Sequence, residues 1–143
     1  MKLLRTFLLV LLVLFTGGFA KAQTEEKSFC ANLHNEEFGV FFNIDLEKSG
    51  LMVPGHEIYG PLAGYIGLPT NSFYWLVVDA EVKGKTATLQ IVNDYGSEDL
   101  VATLEQATDS TFTLTQGKGS LIKLPNKGKW MKLPKKMEFK IKR

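Results

Sequence analysis

The chain contains a single cysteine, Cys30, so it cannot form an internal disulfide bond and is not a disulfide-stapled miniprotein. Histidine is almost as scarce. The two histidines, His34 and His56, do not form with Cys30 the paired-ligand spacing that zinc sites usually show. We therefore expect no metal and no cofactor, and we interpret Cys30 as a buried, inert thiol.

Motifs for nucleophilic catalysis and for phosphate binding are also missing. There is no Gly-x-Ser-x-Gly turn, and Gly96-Ser97 lies in an acidic loop, a poor place to develop a nucleophilic alkoxide. The glycine-rich run at 116–120 precedes no predicted helix, so it lacks the helix N-terminus that holds phosphate in nucleotide-binding loops. These observations favour a protein that is not an enzyme, and we assign no catalytic residues.

Long apolar runs are confined to the start of the chain. Two basic residues precede an apolar stretch over 7–15, and small residues end at 20–22. The stretch is about half of the ~20 residues that a membrane-spanning helix needs. This order predicts a signal peptide at 1–22, cleaved before Gln23, and no later stretch is apolar enough to span a bilayer. Because no lipid-attachment motif precedes Cys30, we expect a secreted or periplasmic protein without a lipid anchor.

Removal of this leader leaves 121 of the 143 residues, which fits a single domain at 23–143. Removal also changes the charge balance, because three basic residues leave with the leader. The 17 basic and 15 acidic residues of the precursor become 14 and 15. The basic isoelectric point of the precursor is therefore a poor guide to partners, and we expect no nucleic-acid partner.

From Glu37 onward, apolar residues recur at every second position, which is the period of half-buried strands and not of helices. Turn residues such as Lys83-Gly84 separate the segments and predict a four-strand meander after the first strand. The predicted inward rows are Phe38, Val40, Phe42, Ile44 and Leu46; Tyr74, Leu76, Val78, Ala80 and Val82; Ala87, Leu89 and Ile91; Leu100, Ala102 and Leu104; and Phe112 and Leu114.

The tail continues with predicted strands at 121–124, 130–133 and 137–141, and a turn at 125–128 joins the first two. The mature chain thus offers about eight to ten short strands and no helix. We predict an all-β fold, a small antiparallel up-and-down β-barrel, because closure removes unpaired sheet edges that would template aggregation. A two-sheet β-sandwich is the second choice.

In strand number and connectivity, this pattern resembles the lipocalin and avidin class of small exported barrels. The Gly-x-Trp that lies near the first strand of many lipocalins is replaced by Phe38-Gly39-Val40-Phe41. The resemblance therefore implies a barrel architecture and carries over no binding residues.

Charge is distributed unevenly along the chain. Residues 23–117 contain four lysines and fourteen carboxylates, whereas 118–143 contain ten basic residues and Glu138. Such a basic segment could bind an anionic partner, for example an acidic glycan or a phosphorylated lipid. We prefer a second interpretation, in which alternate lysines such as Lys123 and Lys132 form the solvent face of strands. The candidate basic patch consists of Lys127, Lys129, Lys135 and Lys136.

Two acidic segments are candidate sites. The loop at 93–99 gathers three carboxylates and an amide, but it lacks the spacing of a calcium loop, so we interpret it as a hairpin connection. Asp79 and Glu81 fall on the same predicted strand face as Trp75 and Val77. That face would suit a carbohydrate surface or an ordinary polar exterior.

We expect an exported, non-enzymatic binding protein that holds an apolar or amphipathic small molecule or a glycan, either inside the barrel or on a tryptophan-bearing surface. One alternative is a module that meets or inhibits an envelope protein through the basic C-terminal region. The other is a small cell-wall or polysaccharide hydrolase that uses Asp79, Glu81 or the carboxylates at 94–99. The candidate ligand-binding residues are Phe42, Tyr74, Trp75, Leu76, Leu89 and Trp130.

Overall fold

A computed structural model of the protein describes residues 29–142. The predicted signal peptide at 1–22 and its cleavage site lie outside these residues. The described part contains one short 3-10 helix, Glu57–Tyr59, and ten strands: β1 Cys30–Asn35, β2 Val40–Asp45, β3 Gly64–Gly67, β4 Trp75–Lys83, β5 Thr86–Val92, β6 Asp99–Gln106, β7 Thr111–Gly119, β8 Lys123–Asn126, β9 Lys129–Lys132 and β10 Lys136–Ile141.

Eight of these strands form a closed antiparallel barrel in the order β1-β10-β7-β6-β5-β4-β3-β2. Strands β1 to β7 run up and down in chain order, and β10 closes the sheet between β7 and β1. Strands β8 and β9 leave the barrel and pair only with each other, as a separate two-stranded ribbon. The structure confirms the predicted small antiparallel barrel, and the β-sandwich is not formed.

The barrel interior is built from period-two burial. In β5, Ala87, Leu89 and Ile91 are fully buried, and the residues between them are exposed. Strand β2 repeats the pattern with Val40, Phe42 and Ile44. Burying each large aliphatic side chain contributes about 1.5–3 kcal/mol. The inward rows predicted for β2 and β5 are confirmed.

The inward row predicted for β4 is wrong in its first half. Trp75 and Val77 lie in the core, whereas Val78 is exposed, and the pairing with β5 shifts between Val77 and Asp79. This is a β-bulge, in which one extra residue reverses the alternation of faces. Ala80 and Val82 therefore face inward as predicted, but the three upstream residues of the row, Tyr74, Leu76 and Val78, do not.

Both ends of the barrel are closed by apolar side chains. Phe29 and Leu46 cover one end, where the Phe29 and Phe112 ring centroids lie 5.8 Å apart. The other end, which carries the β5–β6 loop, is called the loop end here. Ile122, Leu124 and Leu133, from the β8–β9 ribbon and its flanks, belong to the core cluster at this end.

Residues 51–62, called the strap, cross the outside of the barrel. A bridge between Leu51 and Leu62 closes its base, and Val53 and Leu62 pack on the outward side chain of Leu76. Leu76 is therefore buried although it lies outside the barrel. Two apolar layers thus sandwich β4, one in the barrel and one beneath the strap.

Cys30 lies exposed at the start of β1 and forms no disulfide, so the prediction of a buried thiol is wrong. Side chains alternate between the two faces of β1, and Cys30 lies on the face opposite to that of the buried residue Leu33. Among residues 29–142, no helix has the length and apolar character needed to cross a bilayer.

Candidate functional site

The protein's own side chains fill the space inside the barrel where an interior ligand was predicted. Phe42 and Leu89 point inward and have no exposed surface. The ring of Phe42 packs edge-on against Phe139, with centroids 5.6 Å apart. A void that could hold water beside these side chains would leave part of them exposed. A ligand could enter only by displacing the core.

The other candidate residues, at the start of β4 and directly before it, have different surroundings from those predicted. Trp75 is fully buried, and its Nε1–H donates a hydrogen bond to the Lys123 carbonyl at 2.9 Å, so it anchors the ribbon and presents no surface. Leu76 lies beneath the strap. Tyr74 is half-buried on the outside, where it packs against Tyr65 and His56.

Three aromatic rings from distant parts of the chain meet at the loop end. Phe73 precedes β4, Tyr95 lies in the β5–β6 loop, and Trp130 lies in β9. The Phe73 centroid is 5.4 Å from that of Tyr95 and 5.3 Å from that of Trp130, both edge-on. Phe73 is buried, whereas Tyr95 and Trp130 are 75% and 53% exposed. We call these residues and Lys123 the Trp130 surface.

Asn71 fixes the position of Phe73 relative to the ribbon. Its Oδ1 accepts a hydrogen bond from the Phe73 N–H at 3.1 Å, and its Nδ2 donates to the Pro125 carbonyl at 2.7 Å. Pro125 is the cross-strand partner of Trp130. One side chain therefore links the ring beneath the surface to the strand pair that carries Trp130.

Asn93 fixes the loop that carries Tyr95. This side chain is buried, and its Oδ1 accepts from the Ser97 and Glu98 N–H groups at 2.9 and 3.2 Å. Its Nδ2 donates to Ser97 Oγ at 3.1 Å and lies 3.4 Å from Glu98 Oε2. The Asn93 amide thus forms its hydrogen bonds within the loop, which is typical of an asparagine in a hairpin connection.

The Trp130 surface places charged groups beside its rings. Lys123 Nζ lies 5.5 Å from the centroid of the Trp130 ring and 3.8 Å from Glu98 Oε2. A cation near an indole face is attracted by the negative electrostatic potential of the ring. Aromatic faces, an ammonium group and a carboxylate are therefore available within one small area.

His56 connects the strap to the same β5–β6 loop. Its Nε2 contacts the Asp94 carboxylate, its Nδ1 lies 3.1 Å from the Pro54 carbonyl, and its ring stacks on Tyr59. The Pro54 carbonyl and the Asp94 carboxylate are both acceptors, so this arrangement favours the imidazolium form, in which both ring nitrogens donate. With both nitrogens engaged in this way, His56 is not available as a general base.

The pKa of His56 agrees with this geometry. Burial lowers the pKa, but the hydrogen bonds to Asp94 and to the Pro54 carbonyl, together with the charges of Asp94 and Glu57, outweigh burial and raise the pKa above 6.5. Burial also raises the pKa of Tyr74, with smaller contributions from Tyr65 and Asp94.

The candidate basic patch is divided between the two ends of the ribbon. Lys127 and Lys129 are exposed at its turn, and Lys135 and Lys136 are exposed beyond its base, where β10 begins. The structure therefore does not gather the four side chains at one point. Lys123 and Lys132, which the sequence placed on the solvent face of strands, face each other directly across the ribbon, a pairing that the sequence did not predict.

Asp79 and Glu81 are exposed on the outside of β4, and Glu81 lies 3.4 Å from Lys83 Nζ. The aromatic surface predicted to accompany them is absent from this face, because the bulge turns Trp75 and Val77 into the core. Within residues 29–142, no three His, Cys, Asp or Glu side chains gather closely enough to hold a metal ion.

Neither Phe73 nor Tyr95 was among the candidate ligand-binding residues. The signal that could have identified them is the pair of loop-borne aromatics, Phe73 after Asn71-Ser72 and Tyr95 between Asp94 and Gly96, since exposed aromatic residues in loops often bind ligands. Comparisons with protein-family models, with curated proteins and with solved structures found no match for this chain.

Proposed function

We propose that this protein is an exported, non-enzymatic binding protein that holds a glycan on the outside of the barrel, at the Trp130 surface. The observation that carries the proposal is the pair of exposed rings, Trp130 and Tyr95, both held edge-on by the buried ring of Phe73. Export rests on the leader pattern at 1–22.

A sugar suits this combination of groups. The C–H face of a pyranose is apolar and packs on an aromatic ring, while its hydroxyl groups form hydrogen bonds. At the Trp130 surface, Glu98 offers acceptor oxygens and Lys123 offers donor hydrogens beside the ring. Rings that are already fixed lose little conformational freedom when a ligand binds, which favours affinity.

The packed interior also supports an external site. Phe42 and Leu89 leave no room for a small molecule, so the interior version of the binding hypothesis would require the core to open. An external site requires no such change. Among the surfaces with exposed aromatic rings, the Trp130 surface combines two such rings with charged groups.

The test is binding of the purified protein to a panel of soluble glycans, followed by Trp130→Ala. We expect this substitution to weaken binding about tenfold or more, because truncating a central aromatic anchor costs about 2 kcal/mol and tenfold corresponds to about 1.4 kcal/mol. Val78→Ala removes an exposed apolar side chain on β4 and is the control, with unchanged affinity. Wild-type affinity in the Trp130→Ala variant would contradict the proposal.

A second candidate is docking to an envelope protein through the basic C-terminal region. The observation that favours it is the exposure of Lys127 and Lys129 at the turn of a ribbon that stands apart from the barrel sheet. Charge-neutralising substitutions at these two lysines would then weaken the complex and its salt dependence, while Trp130→Ala would leave the salt dependence unchanged.

A further inference from the structure

The β8–β9 ribbon presents one face to the barrel and one face away from it. Leu124 and Met131 lie opposite each other and pack on the core. Because side chains alternate along each strand, the next pairs, Lys123 with Lys132 and Pro125 with Trp130, share the outward face. Two lysines therefore lie on the same face as the exposed indole.

These outward pairs are the non-hydrogen-bonded pairs of the antiparallel ladder, whose Cα atoms lie closer together than those of hydrogen-bonded pairs. The carbonyl groups of Lys123 and Pro125 accept hydrogen bonds from Trp75 and Asn71, outside the ribbon, so they do not bond across it. In an antiparallel pair, residues that do not bond across have Cα atoms only about 4.5 Å apart. The stems of Lys123 and Lys132 thus start side by side.

Like charges directly opposite each other destabilise a strand pair unless an anion lies between or beside them. Lys123 has Glu98 at 3.8 Å. In the described part of the chain, the ion pairs include no partner for Lys132, and the other lysines of the ribbon, at its turn, likewise form none. The Asp94 carboxylate of the β5–β6 loop is engaged by His56.

We infer that the ligand of the Trp130 surface is an anionic glycan, whose carboxylate or sulfate group binds between Lys123 and Lys132 while its sugar ring packs on Trp130. This inference rests on the proposed glycan function and specifies the class of ligand. Glu98 favours a glycan over a phosphate polymer without hydroxyl groups, because its carboxylate can accept hydrogen bonds from the hydroxyl groups of the sugar.

The experiment compares charged polymers with neutral polymers of the same backbone: polygalacturonate with its methyl-esterified form, and dextran sulfate with dextran. The variant is Lys132→Gln, which leaves Lys123 and its contact with Glu98 intact. Lys140→Gln causes the same change in net charge on β10, at the barrel end opposite the loop end, and is the matched control.

We expect the purified protein to bind a charged polymer and not its neutral counterpart. Lys132→Gln should weaken that binding about threefold to tenfold and reduce its salt dependence, with a smaller change in Lys140→Gln. Vesicles of phosphatidylglycerol and a single-stranded oligonucleotide serve as further anionic probes, and both should bind more weakly than the charged glycan.

The outcomes separate this inference from the proposed function. Equal binding of neutral and charged polymers, lost in Trp130→Ala but retained in Lys132→Gln, would overturn the anionic ligand and leave the glycan function standing. Binding of charged polymer that Trp130→Ala does not weaken, or tighter binding of vesicles or oligonucleotide, would overturn both. Failure of both charged polymers to bind would also overturn the inference.

Discussion

His56 is the residue through which acidity should act on this protein. It joins the strap to the β5–β6 loop through Asp94, and both of its ring nitrogens donate to acceptors. When folding raises the pKa of a histidine, the histidine adds to the free energy of unfolding. This contribution is fully present at pH values below the pKa of the unfolded state, near 6.5. That contribution is lost as the pH rises through the higher pKa of the folded protein.

We therefore predict that the free energy of unfolding, measured by urea denaturation, falls as the pH is raised above 6.5. His56→Gln should be less stable than the wild type at pH 6, and the difference should shrink toward alkaline pH. Thr88→Ala, an exposed and non-titratable position on β5, is the control and should keep the wild-type pH dependence. A wild-type slope in His56→Gln would contradict the role assigned to this pair.

At the scale of elements, period-two alternation predicts which side chains of β2, β5, β6 and β7 face the barrel interior, but it does not do so for β4. In the segment before Ala80, the residues that would face either side of a strand are apolar: Phe73, Trp75 and Val77 alternate with Tyr74, Leu76 and Val78. The bulge after Val77 and the strap that covers Leu76 decide which set faces inward. Both are tertiary features, and local propensity does not encode them.

The Trp130 surface was predictable only in part. Trp130 could be identified as a candidate because it is a tryptophan in a basic, polar segment. Its contact with Phe73 and the loop of Tyr95 depends on how the ribbon folds over the loop end, which Asn71 and Gln116 fix. Such long-range hydrogen bonds leave no periodic signal in the sequence.

Gln116 attaches the ribbon to the barrel. It is buried in β7, its Oε1 accepts from the Ile122 N–H at 2.7 Å, and its Nε2 donates to the Pro134 carbonyl at 3.0 Å. We predict that Gln116→Leu lowers the free energy of unfolding by about 1–3 kcal/mol, because it leaves these buried backbone groups without partners.

Hydrogen exchange checks this prediction at the level of single amides. The Ile122 N–H should exchange faster in Gln116→Leu than in the wild type, and the affinity for glycan should fall because Trp130 moves with the ribbon. Gln90→Leu, an exposed position on β5, is the matched control and should change neither quantity. Unchanged protection of Ile122 would show that the ribbon is held by other contacts.

For the whole molecule, the packed barrel separates stability from binding. Leu89 has no exposed surface and lies at the centre of the interior row of β5. We predict that Leu89→Ala lowers the free energy of unfolding by about 2–5 kcal/mol, through lost burial and the cavity that it leaves. The glycan affinity of the folded protein, measured by calorimetry at a temperature where the variant is folded, should be unchanged.

Leu121→Ala is the control for this prediction, because Leu121 is exposed and its truncation should cost little stability. An interior ligand would give the opposite result. Leu89→Ala would then alter the affinity directly, since the substitution changes the lining of the site.

Closure of the eight-strand sheet has a consequence for how molecules meet one another. Every strand of the barrel has a paired neighbour on each side, whereas the outer side of β9 is a row of backbone groups that pairs with no other strand in the described part of the chain. Lysine charges along such a row deter a second copy from adding its own strand. A polymer that neutralises Lys129 and Lys132 on many bound copies would remove this repulsion. When many copies bind one polymer molecule side by side, the β9 strands of neighbouring copies should therefore pair more readily.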